Sequence, residues 1–240
     1  RHPLLVGKGL VGGKAAAYVC RNFSCREPIT MPEVLAEALR RPLSEEGTDA
    51  PVGCKALAGR RLQGHATAGG TGAYAVRFVN RSRNTRGYGP LGSTGLTVSK
   101  LGFGGYRVDA EEPEHRAALI KALREGCNLI DTSTNYADGE SERLVGSVLA
   151  ELIAQGVLTR DEVIVVSKIG YVQGQNLKQA EAREKAGKPY PDMVKYGEGI
   201  WHCLHPEFLA DQLHLSLDRL GVGTLDVCLL HNPEYFLSDA

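Results

Sequence analysis

From Tyr88 onward, apolar and polar positions recur with regular periods. Leu119, Ile120 and Leu123 fall on one side of 113–125, and Gly126 follows as a stop, which predicts a helix. Over 140–155, Leu144, Val145, Val148, Leu149, Leu152 and Ile153 make a broader apolar stripe that ends at Gly156. A third helix is predicted to start at Pro206, with Leu209, Leu213, Leu217 and Leu220 inward and Gly221 as its end. Between these lie short apolar runs at 101–105, 127–131, 163–167 (VIVVS) and 225–230 (LDVCLL), each read as a strand. Gly92 and Gly95 within 90–101 predict a small hairpin ahead of the first of them. Strand and helix in strict alternation indicate parallel βαβ units. Doubly wound sheets and β/α barrels share that pattern, so periodicity alone does not choose between them.

The first 87 residues read differently. In 1–40, AAAYVC (15–20) suggests a strand, and Thr30 with Glu33 forms a capping-box signal before a helical run at 34–40. Residues 41–87 are rich in Gly, Arg, Ala and Thr, include HATAGGTGAY (65–74), and hold no lasting period. They are predicted to be an irregular linker between a short α/β tail-like segment (1–40) and a domain over 88–240.

Composition narrows the field without naming an activity. The 240 residues are 42% hydrophobic and carry 28 basic against 28 acidic side chains. A balance near zero gives no general attraction to nucleic acid or anionic membranes. No apolar run approaches the roughly 20 residues of a membrane span, and the opening residues lack a secretory signal. The chain starts at Arg1 without Met, which is consistent with an internal cut. Six scattered Cys (20, 25, 54, 127, 203, 228) suit reduced thiols in a cytoplasmic protein. Cys20 and Cys25 form a lone CxxxxC, too little for a zinc site, and no metal is predicted.

Position is more informative than composition. The second strand runs into Asp131, the third into Lys168 and the fourth into His231, while Tyr136 follows Asp131 by five residues. The carboxyl ends of parallel strands form the active face of α/β proteins, so these four side chains are expected on one rim. The combination has a chemical use. A phenol, with a free pKa of about 10, is protonated at neutral pH and can pass its proton to the oxygen of a carbonyl that accepts hydride. A neighbouring ammonium stabilises the resulting phenolate, a carboxylate keeps that ammonium charged, and an imidazole can hold the carbonyl oxygen by a hydrogen bond.

These residues resemble a known family. DTSTNYADGESERLVG (131–146) is similar to the aldo-keto reductase pattern, PLGSTGLTVSKLGFGGYR (90–107) to its opening hairpin and first strand, VIVVSKIG (163–170) to its lysine strand and LDVCLLHNPE (225–234) to its histidine strand. The resemblance implies an α/β fold, a parallel (β/α)8 TIM barrel. Here the barrel is expected to be truncated to about its first four βα units behind an N-terminal extension. It further implies NADP(H), or less often NAD(H), as cofactor, a small-molecule carbonyl as substrate, and Asp131, Tyr136, Lys168 and His231 as the catalytic tetrad. Gly104, Gly105, Tyr106 and Arg107 match positions near nicotinamide and ribose, with Asp131 alongside; Tyr106, His231 and Asn232 border the substrate. GFGG (102–105) does not have GxGxxG spacing and carries little weight as a phosphate loop.

Residues 171–205, with Tyr190, Tyr196 and Trp201, are longer than a tight βα loop; substrate choice and a plain surface excursion stand as equal readings. By the same analogy, the residue that stacks on nicotinamide and the basic residues for the adenosine phosphate belong to a second half of the barrel, so weak cofactor binding and little turnover are expected of these residues alone. Residues 3–39 resemble the C-terminal tail of a thioredoxin-domain-containing family, without that family's active site, which suggests a fused reading frame. Three functions compete at this stage: an aldehyde or ketone reductase, a non-catalytic NADP-binding sensor of the same fold, and an inert fused product. Substrate, oligomeric state and the choice of NADP over NAD stay open.

Overall fold

A computed structural model of the chain describes residues 20–21, 24–25, 61–82 and 87–237. The chain divides into two compact units, Arg1–Ala56 and Leu57–Ala240. In the first, β1 (Cys20–Arg21) pairs antiparallel with β2 (Ser24–Cys25). The helix expected at 34–40, most of the strand expected at 15–20 and the thioredoxin-tail resemblance lie outside the described residues.

In the second unit, β5 (Phe103–Gly104), β6 (Leu129–Asp131), β7 (Ile164–Ile169) and β11 (Val227–Leu230) form one parallel sheet in the order β11-β7-β6-β5. Each strand therefore lies beside its predecessor in the chain. A doubly wound sheet reverses direction at a switch point; this one does not, and its progression is that of a β/α barrel. The helices α2 (Pro113–Arg124), α3 (Glu140–Ala154) and α5 (Pro206–Leu220) connect successive strands, as the periodicity predicts.

Strand alternation decides which face each residue occupies. Val163 and Val165 point to the helical layer, where they join Ile130, Leu119, Leu123 and the α3 stripe Leu144, Val145, Val148, Leu149 and Leu152 in the main core. Ile164 and Val166 point the other way and pack with Leu129, Val227 and the hairpin residues Leu91, Leu96 and Val98. The hairpin itself is β3 (Tyr88–Pro90) against β4 (Thr97–Ser99). The helix α5 stops where Gly221 adopts a left-handed conformation (φ 61°), releasing the chain toward β11.

One expectation fails. Residues 68–82 are helical rather than irregular: α1 (Ala68–Ser82) packs against the same unit as the sheet. The Thr67 hydroxyl accepts from the Gly70 amide at 2.9 Å and caps the helix. A Cβ at Gly70 would sit 2.4 Å from the Asp161 carbonyl oxygen, so this glycine permits close approach rather than marking a flexible stretch. Tyr74 is buried, and its hydroxyl donates to the Leu123 and Cys127 carbonyls. Leu62 joins in through a parallel bridge to Val222. The Gly-rich composition concealed a helix held by tertiary contacts, and the compact unit starts at Leu57 instead of Tyr88.

The stretch after β7 is a small subdomain: β8 (Tyr171–Val172), α4 (Gly174–Lys185), β9 (Met193–Gly197) and β10 (Ile200–Cys203), with the strands ordered β8-β10-β9. Val172, Ala180, Tyr190, Cys203 and Phe208 give it a core of its own.

Candidate active site

Register brings the polar residues together. Asp131 pairs with Val166, and Leu229 pairs with Lys168. Leu129 and Asp131, Val166 and Lys168, and Leu229 and His231 are each two residues apart, so all six share the inner face with the polar members at the carboxyl end. Tyr136 reaches the same place from a short 3-10 turn, Tyr136–Gly139, in which Ala137, Asp138 and Gly139 all have positive φ (47°, 54° and 94°). Two non-glycine residues in that region carry strain. The surroundings hold them there: the Asp138 carboxylate accepts from the Gln175 amide at 2.8 Å, and Asn135 Nδ2 donates to Gln173 Oε1 at 2.9 Å.

Lys168 is the hub. Its Nζ donates to Tyr136 Oη at 2.9 Å, to the Thr132 carbonyl at 3.0 Å and to the Asp131 carboxylate at 2.8 Å. An ammonium has three protons and no lone pair, so every donor is used. The Lys168 side chain is 13% exposed against 42% for Asp131, which leaves the outer part of the carboxylate open to solvent or a ligand.

His231 stands beside this triad. Its ring meets Tyr136 edge-on with centroids 5.7 Å apart, and Tyr171 at 4.7 Å. Its Nδ1 lies 3.0 Å from Ser133 Oγ. Burial first, and then the Lys168 ammonium, hold its pKa down to about 4, so the ring is neutral at physiological pH. The buried His202 fixes the His231 backbone, with Nε2 2.7 Å from the His231 carbonyl oxygen.

The remaining candidates divide into two groups. Gly105 is buried, donates its amide to the Asp131 carbonyl at 2.8 Å, and approaches Ser141 so closely that a Cβ would be 2.5 Å from its hydroxyl. This contact sets Tyr106 on the rim, 66% exposed and edge-on to Tyr136 with centroids 5.3 Å apart. The Arg107 guanidinium lies 5.7 Å from the centre of the Tyr106 ring, and Gly104 faces open space. Asn232, next to His231, has a left-handed backbone (φ 48°), and its side-chain amide donates to Glu234 at 2.7 Å.

Ser133, Asn135, Tyr171, Gln173 and His202 were missed from sequence. The polar run between Asp131 and Tyr136 was the available signal for the first two; the others lie on a subdomain whose docking no local pattern encodes. A cavity of about 450 Å3 lined by Phe78, Tyr88, Leu101, Phe103 and Cys127 sits at the amino ends of the first two strands of the sheet and contains none of the candidate residues.

Fold and site together define a parallel α/β protein with a phenol, an ammonium, a carboxylate and an imidazole at the carboxyl ends of successive strands. The sequence profile of the Aldo/keto reductase family matches residues 100–238, more than half of the chain, and the chain belongs to that family. The NADH-specific methylglyoxal reductase of Escherichia coli is 30% identical over 151 residues, covering 59% of this chain and 40% of the relative. The L-galactose dehydrogenase of Arabidopsis thaliana is 31% identical over 124 residues, covering 49% and 38%. Among solved structures, a holo aldo-keto reductase from Bacillus halodurans is similar at 26% identity and a TM-score of 0.46, covering 60% of this chain and 39% of that one. The chain thus spans about 40% of the length of the curated relatives it matches.

Proposed function

We propose that this chain carries the site of an NAD(P)H-dependent oxidoreductase that reduces a small aldehyde or ketone to the alcohol, with Tyr136 as the proton donor. The observation that carries the proposal is the placement of Lys168 Nζ between the Tyr136 hydroxyl at 2.9 Å and the Asp131 carboxylate at 2.8 Å. Because Lys168 can only donate, it occupies a lone pair on the phenol oxygen and leaves the phenol proton free to point outward.

When a carbonyl carbon at this rim accepts hydride, the electron pair of its π bond moves to oxygen, and that oxygen takes the Tyr136 proton. The phenolate left behind stays in contact with Lys168, whose charge stabilises it in a site partly shielded from water. Asp131 balances the Lys168 charge. The neutral His231 ring lies beside the phenol, where it can orient the reacting oxygen.

The hydride is what a nicotinamide cofactor supplies when bound. The residues present fit such a group. Gly104 leaves open space where any side chain would intrude, and Tyr106 exposes a ring face. Asp131 keeps accessible lone pairs for a ribose hydroxyl, while Gly105 and Arg107 flank the same strand end. A relative named for NADH specificity supports a nicotinamide cofactor of either type.

The test is NADPH and NADH oxidation with a small aldehyde, followed by absorbance, for the wild type and Tyr136→Phe. The substitution is expected to lower turnover by about 10²–10⁴-fold while thermal unfolding stays unchanged. Turnover that survives the substitution would overturn the assignment of Tyr136, and bound cofactor without turnover would favour a sensor of the same fold.

A further inference from the structure

The turn that carries Tyr136 is weakly held at its start by its own backbone. The Tyr136 amide reaches the Ser133 carbonyl, and the Asp138 amide the Asn135 carbonyl, both at 3.3 Å, longer than an ordinary amide hydrogen bond. Ala137, Asp138 and Gly139 then keep positive φ in succession, which disfavours the first two. Such a turn persists only where its surroundings fix it. One grip is internal to the sheet unit. A Cβ at Gly139 would lie 2.8 Å from Arg219 Cδ, and Arg219 Nε donates to the buried Glu142 carboxylate at 2.6 Å. Glu142 also accepts from the hydroxyl of Ser167, the neighbour of Lys168, at 2.6 Å.

The other grip is Asp138. Its Oδ1 accepts from the Gln175 amide at 2.8 Å, and a Cβ on Gly174 would lie 2.2 Å from the same oxygen. Gln175 is the second residue of α4 (Gly174–Lys185), so its amide has no acceptor within the helix. The helix brings no cap of its own: Gln173 makes no side-chain capping bond, and the first turn has no acidic residue. A carboxylate two residues from Tyr136 fills that role, favoured by the helix dipole.

We propose that Asp138 is a positioning residue: by capping α4 it fixes the turn so that the Tyr136 phenol stays on Lys168 Nζ. Resting on the reductase reading, the 171–203 subdomain then governs turnover through its helix, from outside the reacting groups. The contact is exposed, so its loss spares the core and slows the reaction moderately.

Substitution separates the contact from the backbone. Glycine adopts positive φ freely but has no carboxylate; asparagine tolerates that region and keeps an acceptor oxygen. Asp138→Gly is expected to lower kcat by about tenfold with KM within about twofold of the wild type, and Asp138→Asn to restore most of the rate. Ala137→Gly, which frees the neighbouring residue and leaves the carboxylate, is expected to keep the rate. Hydrogen exchange should find the Gln175 amide protected in the wild type and in Asp138→Asn, and open in Asp138→Gly. In isotope-labelled tyrosine, the Tyr136 ring signal, assigned by its loss in Tyr136→Phe, should move in Asp138→Gly and return in Asp138→Asn. A wild-type rate and ring signal in Asp138→Gly, a loss confined to KM, or an equal loss in Ala137→Gly overturns the inference. So does an unprotected Gln175 amide in the wild type, which requires no variant to fold. A protected amide and a ring signal that follows Asp138, in a protein without turnover, uphold the positioning and remove the reductase reading, so the two fail separately.

Discussion

Two cation–carboxylate pairs lie at opposite ends of the same parallel sheet. At the amino end, Arg160 and Asp226 meet at 2.8 Å with side chains 5% and 3% exposed. Arg160 also donates to the Val163 and Thr224 carbonyls, and Asp226 accepts from the Val165 and Ala66 amides. At the carboxyl end, Lys168 and Asp131 meet at the same distance, but the carboxylate is 42% exposed and the third group in the cluster is a phenol. The first pair is closed on four backbone groups from three segments and is shut off from solvent. The second is open on one side. The same charge chemistry acts as a clasp where its bonds end on backbone, and becomes a candidate for catalysis where they end on a side chain with a transferable proton.

Substitution separates the two most sharply. Asp226→Asn is expected to lower stability by about 3–5 kcal/mol, because it leaves the Arg160 guanidinium buried without a counter-charge. Asp131→Asn is expected to cost about 1 kcal/mol or less in stability, since the carboxylate itself is partly solvated, while depressing turnover. Chemical denaturation alongside steady-state rates measures both, and equal losses of stability would break the distinction.

A smaller effect sharpens where the scaffold starts. Tyr74→Phe removes the hydroxyl that reaches the Leu123 and Cys127 carbonyls. It is expected to lower stability by about 1–2 kcal/mol without changing turnover. No loss of stability would mean that α1 is not part of the unit that the amino-end clasp holds together.

A third difference is the pH dependence contributed by His231. Its folded pKa of about 4 lies below the usual 6.5, so the unfolded chain takes up the proton at higher pH. The stability linked to this group is therefore complete above about pH 6.5, falls as pH drops toward 4, and falls no further below that. His202, also lowered by burial, acts in the same direction. Urea midpoints between pH 7 and 4 should slope less in His231→Gln than in the wild type; parallel slopes would contradict the burial of the ring.

The sequence made some of this legible and hid the rest, for physical reasons. In VIVVSKIG the period of two places Lys168 on the face of Ile164 and Val166, and the broad α3 stripe shows which side of that helix meets the sheet. Local spacing encodes such facts. The Gly-rich stretch before Tyr88 hid a helix because its cap, its close contact with Asp161 and its Tyr74 anchor all involve residues distant in sequence or unremarkable in type. The polar residues around His231 were hidden for a related reason. Ser133 and Asn135 read as an ordinary loop until the fold brings His231, 98 residues after Ser133, against the hydroxyl.

The central claim, that a hydride accepted at this rim is matched by a proton from Tyr136, is tested most directly by following deuterium. With a nicotinamide deuterated at the transferred position and a small aldehyde, mass spectrometry should find one deuterium on the alcohol carbon of the product, and Tyr136→Phe should slow its formation by about 10²–10⁴-fold. Alcohol formed without the label, or labelled alcohol formed as fast by the Tyr136→Phe protein, would contradict the account.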